Sequence, residues 1–145
     1  MNQLNPSSPP LTFFLQDDPK LWYGIGILYD RYGSLDHAEE AFASVLRMNK
    51  GMYVLFRVNA PALIRPITDL DFDKSNEILF RLGIIYKQRS KYKESLSCFE
   101  KILQSPPNPL AHADIWFQIG HVHEQQNDVR LFVTSFQLGL SSFFW

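Results

Sequence analysis

Apolar residues recur at helical spacing in five segments of the 145-residue chain. The clearest segment is 35–48, where Ala38, Ala41, Phe42, Val45 and Leu46 fall at i, i+3, i+4, i+7 and i+8 and line one face of a helix. Comparable spacing predicts helices over about 19–32, 76–89, 92–104 and 110–126. The pattern therefore predicts an all-α chain.

Helix boundaries are marked by residues with known terminal preferences. Asp18 followed by Pro19 predicts the start of the first helix, because a carboxylate caps free N–H groups and proline suits the first turn. Gly33 predicts its end, since glycine readily adopts the left-handed conformation of a C-terminal cap. The proline-rich stretch 106–109 is expected to end the fourth helix.

A spaced motif occurs twice in full and begins a third time. Gly26, Gly83 and Gly120 fall where the two helices of a hairpin would approach most closely, and Ala38 and Ser95 would face the first two. The layout resembles that of a tetratricopeptide repeat, a helical hairpin that must stack on its neighbours and has no chemistry of its own. It therefore predicts binding. The expected repeat-packing residues are Trp22, Gly26, Tyr29, Ala38, Phe42, Leu79, Gly83, Tyr86, Ser95, Phe99, Trp116 and Gly120.

The predicted fold is an all-α tetratricopeptide (TPR) helical-hairpin solenoid of about two and a half repeats. The repeats are expected at about 19–50, 76–109 and 113–128, within a TPR domain spanning 17–128. Residues 1–16 are expected to be a disordered leader, because they are polar and rich in proline and serine. An irregular insert is expected at 51–70, and an apolar tail foreign to the family at 129–145.

The glycine spacing singles out the insert. Gly26 and Gly83 lie 57 positions apart, whereas Gly83 and Gly120 lie 37 apart, so twenty residues are in excess. We hypothesise a translated intron, because Gly51-Met52-Tyr53 can be encoded with a donor-like GTATGT and Leu70-Asp71 with a TAG acceptor. Removing twenty codons restores an even spacing and keeps the reading frame. The alternative is a natural loop between repeats.

The last seventeen residues also depart from the repeat. The second helix of a third hairpin should bring an alanine and then an aromatic residue, but a run of apolar residues begins at Val129 instead. Val129-Arg130 can also be encoded with a donor-like sequence. The run is shorter than a typical membrane-spanning helix and is interrupted by polar residues. It could still form a helix in which Phe132 and Phe136 cover the fifth helix.

Composition restricts the classes of function. The net charge is −1, so the chain lacks the excess of basic residues that is typical of proteins that bind nucleic acid or anionic lipid. Cys98 is the single cysteine, so an internal disulfide is excluded and a reducing compartment fits. His121 and His123 point to different faces of a helix, which disfavours a metal site. With no nucleophile–base pair or phosphate loop in the sequence, we expect no enzyme activity and no cofactor.

Three stretches are more specific than a generic repeat: residues 17–34, DDPKLWYGIGILYDRYGS; residues 81–88, RLGIIYKQ; and residues 114–120, DIWFQIG. They closely resemble the middle repeats of the fungal glucose-repression mediator family, the TPR subunits of the Tup/Cyc general transcriptional corepressor. The resemblance covers about residues 12–50 and 71–128. Family members carry about ten repeats, so we expect this chain to be a fragment or the product of a mis-assembled gene.

The resemblance implies a nuclear scaffold that does not itself bind DNA. It would bridge DNA-bound repressors to a WD40-type corepressor subunit, and through it to histone deacetylases and chromatin. Related repeats occur in histone demethylases, so a demethylase TPR module is one alternative. A generic adaptor or co-chaperone clamp is another, although the basic residues that would bind an acidic tail are few and mixed with acids.

In a repeat of this family, the first helix of each hairpin lines a concave face. Tyr23, Phe80 and Phe117 would form an aromatic row there, against which a partner peptide could dock. The alternative is that these rings pack against the adjacent repeat. The expected concave partner-binding residues are Lys20, Tyr23, Ile27, Asp30, Arg31, Glu77, Phe80, Ile84, Lys87, Gln88, Asp114, Phe117, His121, Glu124 and Gln125.

Overall fold

A computed structural model describes residues 18–57 and 74–143. Those residues form six α-helices and no strand, which confirms the predicted all-α class. The helices are α1 (Pro19–Arg31), α2 (Leu35–Arg57), α3 (Ser75–Gln88), α4 (Tyr92–Ile102), α5 (His112–Gln125) and α6 (Val129–Phe143). Asp18 caps α1 as expected, since its Oδ1 accepts the N–H of Lys20 at 2.9 Å and Pro19 fills the first turn.

The chain divides into two compact units, Met1–Asp73 and Lys74–Trp145. In the first unit α1 pairs with α2 as one helical hairpin. In the second unit α3 pairs with α4, α5 pairs with α6, and the two hairpins meet where α4 contacts α5.

The same turn closes all three hairpins. Gly33, Ser90 and Asn127 follow their helices in the left-handed conformation, with φ of 75°, 58° and 59°. In each turn this residue and the next donate N–H bonds back to carbonyls of the last helical turn, which is the Schellman arrangement. For α3, the N–H of Ser90 bonds the carbonyl of Lys87 at 3.1 Å and that of Lys91 bonds Tyr86 at 2.8 Å. The end predicted at Gly33 is therefore confirmed.

Each motif glycine lies under a phenylalanine of the following helix. A Cβ atom on Gly26 would lie 2.6 Å from the Phe42 ring. The corresponding approaches are 2.6 Å for Gly83 to Phe99 and 2.8 Å for Gly120 to Phe136. Real Cβ atoms do not approach so closely, so a side chain at these positions would displace a ring. The ring stands sixteen residues after its glycine in every hairpin.

The other expected repeat-packing residues differ in how deeply they are buried. Ala38, Phe42, Ser95 and Phe99 are buried, and the Ser95 hydroxyl donates to the carbonyl of Gly83 at 2.7 Å. Tyr29 is 39% exposed, and its ring stacks on His37 with centroids 4.9 Å apart. The remaining members are half-buried: Trp22, Leu79, Tyr86 and Trp116.

The core of the second unit lies between its two hairpins. Phe99 and Ile102 of α4 join three buried residues of α5, Ile115, Ile119 and Val122. Half-buried side chains close the cluster from several helices: Leu79, Phe80, Ile84, Tyr92, Leu96, Leu103 and Trp116. Burial of this apolar surface is what joins one hairpin to the next.

The second helix is longer than its sequence suggests. We predicted an end near Met48 and an irregular insert from residue 51, whereas α2 continues to Arg57. The prediction was wrong for 51–57, because Gly51 weakens a helix without ending it and the first proline comes only at Pro61. Residues 58–70 of the expected insert and the expected leader at 1–16 lie outside the described residues.

The apolar tail forms the second helix of a third hairpin. α6 spans most of the segment that we set apart from the repeats, and its Phe136 covers Gly120 as the alternative reading predicted. The described residues therefore hold three helical hairpins rather than two and a half. The third hairpin departs from the motif at one position. Phe132 occupies the position that the small residues Ala38 and Ser95 hold in the other two hairpins. Its ring centroid lies 4.7 Å from that of Phe136.

Candidate functional site: the first helices of the hairpins

The three aromatic residues of the predicted concave face are each held within their own hairpin. Tyr23 lies 6.1 Å from Phe42 between ring centroids, Phe80 lies 5.8 Å from Phe99, and Phe117 lies 5.2 Å from Phe136. Tilted and edge-to-face contacts of this kind stabilise ring pairs. All three predicted rings are half-buried, so each keeps part of its surface in solvent.

This arrangement differs from both alternatives drawn from the sequence. The rings are neither fully free for a partner nor packed only against an adjacent repeat. Each rests on the phenylalanine that also covers the motif glycine. The same phenylalanine therefore sets the approach of the two helices and the position of the half-exposed ring.

A polar contact joins the two first helices of the second unit. The Lys87 ammonium of α3 donates to the Oε1 of Gln118 in α5 at 2.7 Å. Burial lowers the pKa of Lys87 from its usual value of 10.5, because desolvation disfavours the charged form. We predicted Lys87 for this surface but not Gln118, since the pairing depends on how two hairpins stack.

Several polar members of the predicted surface have local partners. Asp114 accepts the backbone N–H of Ala111 at 2.7 Å and so helps to begin α5. Glu77 bonds Arg81 at 3.4 Å one turn along α3. The Nδ1 of His121 lies 3.1 Å from the Oε2 of Glu124, and both side chains are exposed. His121, Glu124 and their neighbour Gln125 form an exposed polar edge near the end of α5.

The remaining predicted surface residues differ in exposure. Ile84 is half-buried and packs against the core of the second unit, whereas Gln88 at the end of α3 is exposed. In the first unit the exposed members are Lys20 and Arg31, and the half-buried ones are Ile27 and Asp30. The role of this surface in partner binding stays a prediction.

The cysteine environment is typical of a packing residue. Cys98 is 6% exposed, and burial raises its pKa to about 11, with smaller opposing effects from Lys101 and Glu94. A thiol with a raised pKa is a poor nucleophile at neutral pH. In the two described ranges, no group of three or more His, Cys, Asp or Glu side chains is placed to hold a metal ion. Of the helices described, none is long and apolar enough to cross a membrane.

Known proteins contain repeats similar to those of this chain. A family profile of the tetratricopeptide repeat matches residues 77–109, which include most of α3 and all of α4. The chain is 52% identical over 63 residues to the general transcriptional corepressor CYC8 of Saccharomyces cerevisiae. Over 32 residues it is 81% identical to the general transcriptional corepressors trfA of Dictyostelium discoideum and ssn6 of Schizosaccharomyces pombe.

The repeats of this chain are therefore similar to those of general transcriptional corepressors. The matched segments cover 43%, 22% and 22% of this chain and 4%, 2% and 3% of CYC8, trfA and ssn6 respectively. The chain thus spans only a small part of these relatives. Their similarity bears out the predicted resemblance and concerns the repeats rather than the whole corepressor.

The spacing of the repeat also explains why α6 was not predicted to be the second helix of a third hairpin. Phe136 stands at the same distance from Gly120 as Phe42 from Gly26 and Phe99 from Gly83. That spacing was visible in the sequence, but Phe132 at the small-residue position obscured it. Recognising the third phenylalanine would have identified Val129–Phe143 as the second helix of the third repeat.

Proposed function

We propose that this chain is a protein-interaction scaffold of a general transcriptional corepressor and acts in the nucleus. The observation that carries the proposal is the 81% identity over 32 residues with two general transcriptional corepressors. Identity at this level within the repeats favours a shared interaction surface. In this function the chain bridges DNA-bound repressors to a WD40-type subunit and, through it, to histone deacetylases.

The geometry of the second unit supports peptide binding on its first helices. Phe80 and Phe117 are held by Phe99 and Phe136, so their positions are fixed before a partner arrives. Preorganised aromatic surface binds with little loss of side-chain entropy, which favours such rings as anchors for a partner. The exposed polar edge at His121 supplies hydrogen bonds beside that apolar surface.

In this proposal the chain is not an enzyme and reaches DNA through its partners. Its net charge of −1 gives no general attraction to phosphate, so sequence-specific repressors supply the contact with DNA. The relatives are named as corepressors, which suits a scaffold that brings other activities together.

A tethering assay tests the function directly. The full chain is fused to a heterologous DNA-binding domain upstream of a reporter, and its affinity for the purified WD40 corepressor subunit of budding yeast is measured by calorimetry. We expect repression and binding. A chain that does neither would overturn the proposal.

Matched triple variants test the surface. Gln88→Ala, His121→Ala and Gln125→Ala remove three exposed polar groups from the first helices of the second unit. Lys93→Ala, Ser97→Ala and Lys101→Ala remove three exposed groups from the second helix α4. We expect the first triple variant to weaken partner binding about tenfold or more, and the second to leave it unchanged. Equal losses in both would contradict the assignment of the surface.

A further inference from the structure

The first and the last described helices, α1 and α6, each expose an apolar stripe. On α1, Leu21 is 40% exposed and Leu28 is 54% exposed, with Ile25 half-buried between them. On α6, Val129, Val133 and Leu140 are 70%, 45% and 54% exposed. Each stripe follows one side of its helix, because its members stand at spacings of three, four or seven residues.

The α1 stripe has a buried counterpart in α5. Aligning Gly26 with Gly120 places Leu21, Ile25 and Leu28 at the positions of Ile115, Ile119 and Val122. Those three residues of α5 are buried, with exposures of 0%, 4% and 0%, in the core shared with α4. The α1 stripe thus repeats the surface by which one hairpin packs on the hairpin before it.

The α6 stripe has a counterpart in α4. Aligning Gly120 with Gly83 places Val129, Val133 and Leu140 at the positions of Tyr92, Leu96 and Leu103. Tyr92 and Leu96 of α4, and Leu103 directly after it, pack against the core that contains Ile115, Ile119 and Val122. The α6 stripe thus repeats the surface by which one hairpin packs on the hairpin after it.

We propose that the chain self-associates head to tail, with the α6 stripe of one copy packed on the α1 stripe of the next. The two exposed stripes reproduce, position for position, the two sides of the α4–α5 interface inside the second unit. They are complementary to each other rather than to themselves, so the contact is heterologous and one copy can bind two others. A net charge of −1 leaves little repulsion between copies. This association is independent of the proposed corepressor function.

Sedimentation velocity of the full chain over a range of concentrations gives the first test. We expect the average mass to rise with concentration beyond a dimer, because each added copy exposes a fresh stripe. A chain that remains monomeric up to about 1 mM would overturn the proposal.

Two single variants test the pairing. Leu28→Asp blocks the α1 stripe and Leu140→Asp blocks the α6 stripe, both at exposed positions where the fold is expected to persist. Each variant alone should self-associate at least about tenfold more weakly than the wild-type chain. Mixed together, they should form a one-to-one dimer and nothing larger, because only one unblocked α6 stripe can meet one unblocked α1 stripe. Failure of the mixture to dimerise, or dimerisation of either variant alone at wild-type strength, would contradict head-to-tail packing.

The other flank of α6 offers a matched control. Leu131 and Leu138 are 47% and 41% exposed, but their register positions in α4 are the polar residues Glu94 and Lys101. The double variant Leu131→Glu with Leu138→Lys should therefore self-associate like the wild-type chain. Loss of association in this control would show general apolar clustering instead of the proposed interface. Circular dichroism of every variant verifies that the helices are retained.

Discussion

A Cβ atom on Gly26 would lie 2.6 Å from Cε1 of Phe42, inside the distance at which carbon atoms repel. The Phe42 ring is fully buried, so displacing it would disturb the side chains packed around it. The glycine therefore allows α1 and α2 to approach closely. The same relationship between Gly83 and Phe99 shows that it belongs to the repeat and not to one hairpin.

Replacing this glycine tests the relationship. Gly26→Ala should lower the free energy of unfolding by about 1–3 kcal/mol, because overpacking outweighs the gain in helix propensity. Gly24→Ala, two residues away in the same helix, meets nothing within 4 Å and should stabilise by up to about 1 kcal/mol. Urea unfolding followed by circular dichroism measures both. Two alanine variants of equal stability would show that the ring contact does not limit packing.

Much of this packing could be predicted from spacing alone. Gly26 and Gly83 were identified because a hairpin repeat needs a small residue where its helices approach. We expected Ala38 and Ser95 to face them, whereas the rings of Phe42 and Phe99 lie closest. The continuation of α2 to Arg57 could not be predicted in this way, since Gly51 is typical of a helix end and the residues after it lack a helical period. The local sequence pattern does not determine whether a helix that has already formed continues through a weak helix former such as Gly51.

The polar contacts of the candidate surface were harder to predict from the sequence. Lys87 and Gln118 lie 31 positions apart, and their contact exists only because α3 and α5 belong to stacked hairpins. Asp114 was assigned to the partner surface, but its carboxylate also bonds the backbone at the start of α5. Spacing along a helix gives the face of a residue, whereas its partner depends on tertiary packing.

The turn between α3 and α4 offers a stabilising substitution. Ser90 adopts a φ of 58°, a conformation that costs an ordinary residue about 1–2 kcal/mol and costs glycine much less. Ser90→Gly should therefore raise the free energy of unfolding by up to about 1 kcal/mol, net of the entropy that glycine loses on folding. The reciprocal variant Gly33→Ser, at a φ of 75°, should destabilise by a similar amount. Thermal unfolding checks whether the two changes have opposite signs.

Phe136 tests whether α6 contributes to the fold. Its ring lies against Gly120, Phe117 and His121, although the residue is only half-buried. Phe136→Ala should destabilise the second unit by about 2–3 kcal/mol, somewhat less than the loss of a fully buried phenylalanine. Val129→Ala, at a side chain that is 70% exposed, should change stability by no more than about 0.5 kcal/mol. Equal effects of the two substitutions would mean that α6 does not dock through Phe136.

Lys87 gives a prediction for pH. Burial lowers the pKa of Lys87 in the folded chain below its ordinary value of 10.5, which applies to the unfolded chain. At any pH between the folded and the unfolded pKa, the unfolded chain therefore binds more protons. Stability attributable to this group therefore rises with pH through that interval, and the full cost of burying the charge is present below it. Lys87→Met is uncharged and Lys87→Arg stays charged throughout, so neither titrates there. We expect the wild-type chain to gain stability relative to both variants as the pH rises from neutral towards 10.5, measured by urea unfolding at each pH. Parallel pH profiles for all three chains would show that the folded structure leaves the ammonium fully solvated, contrary to its contact with Gln118.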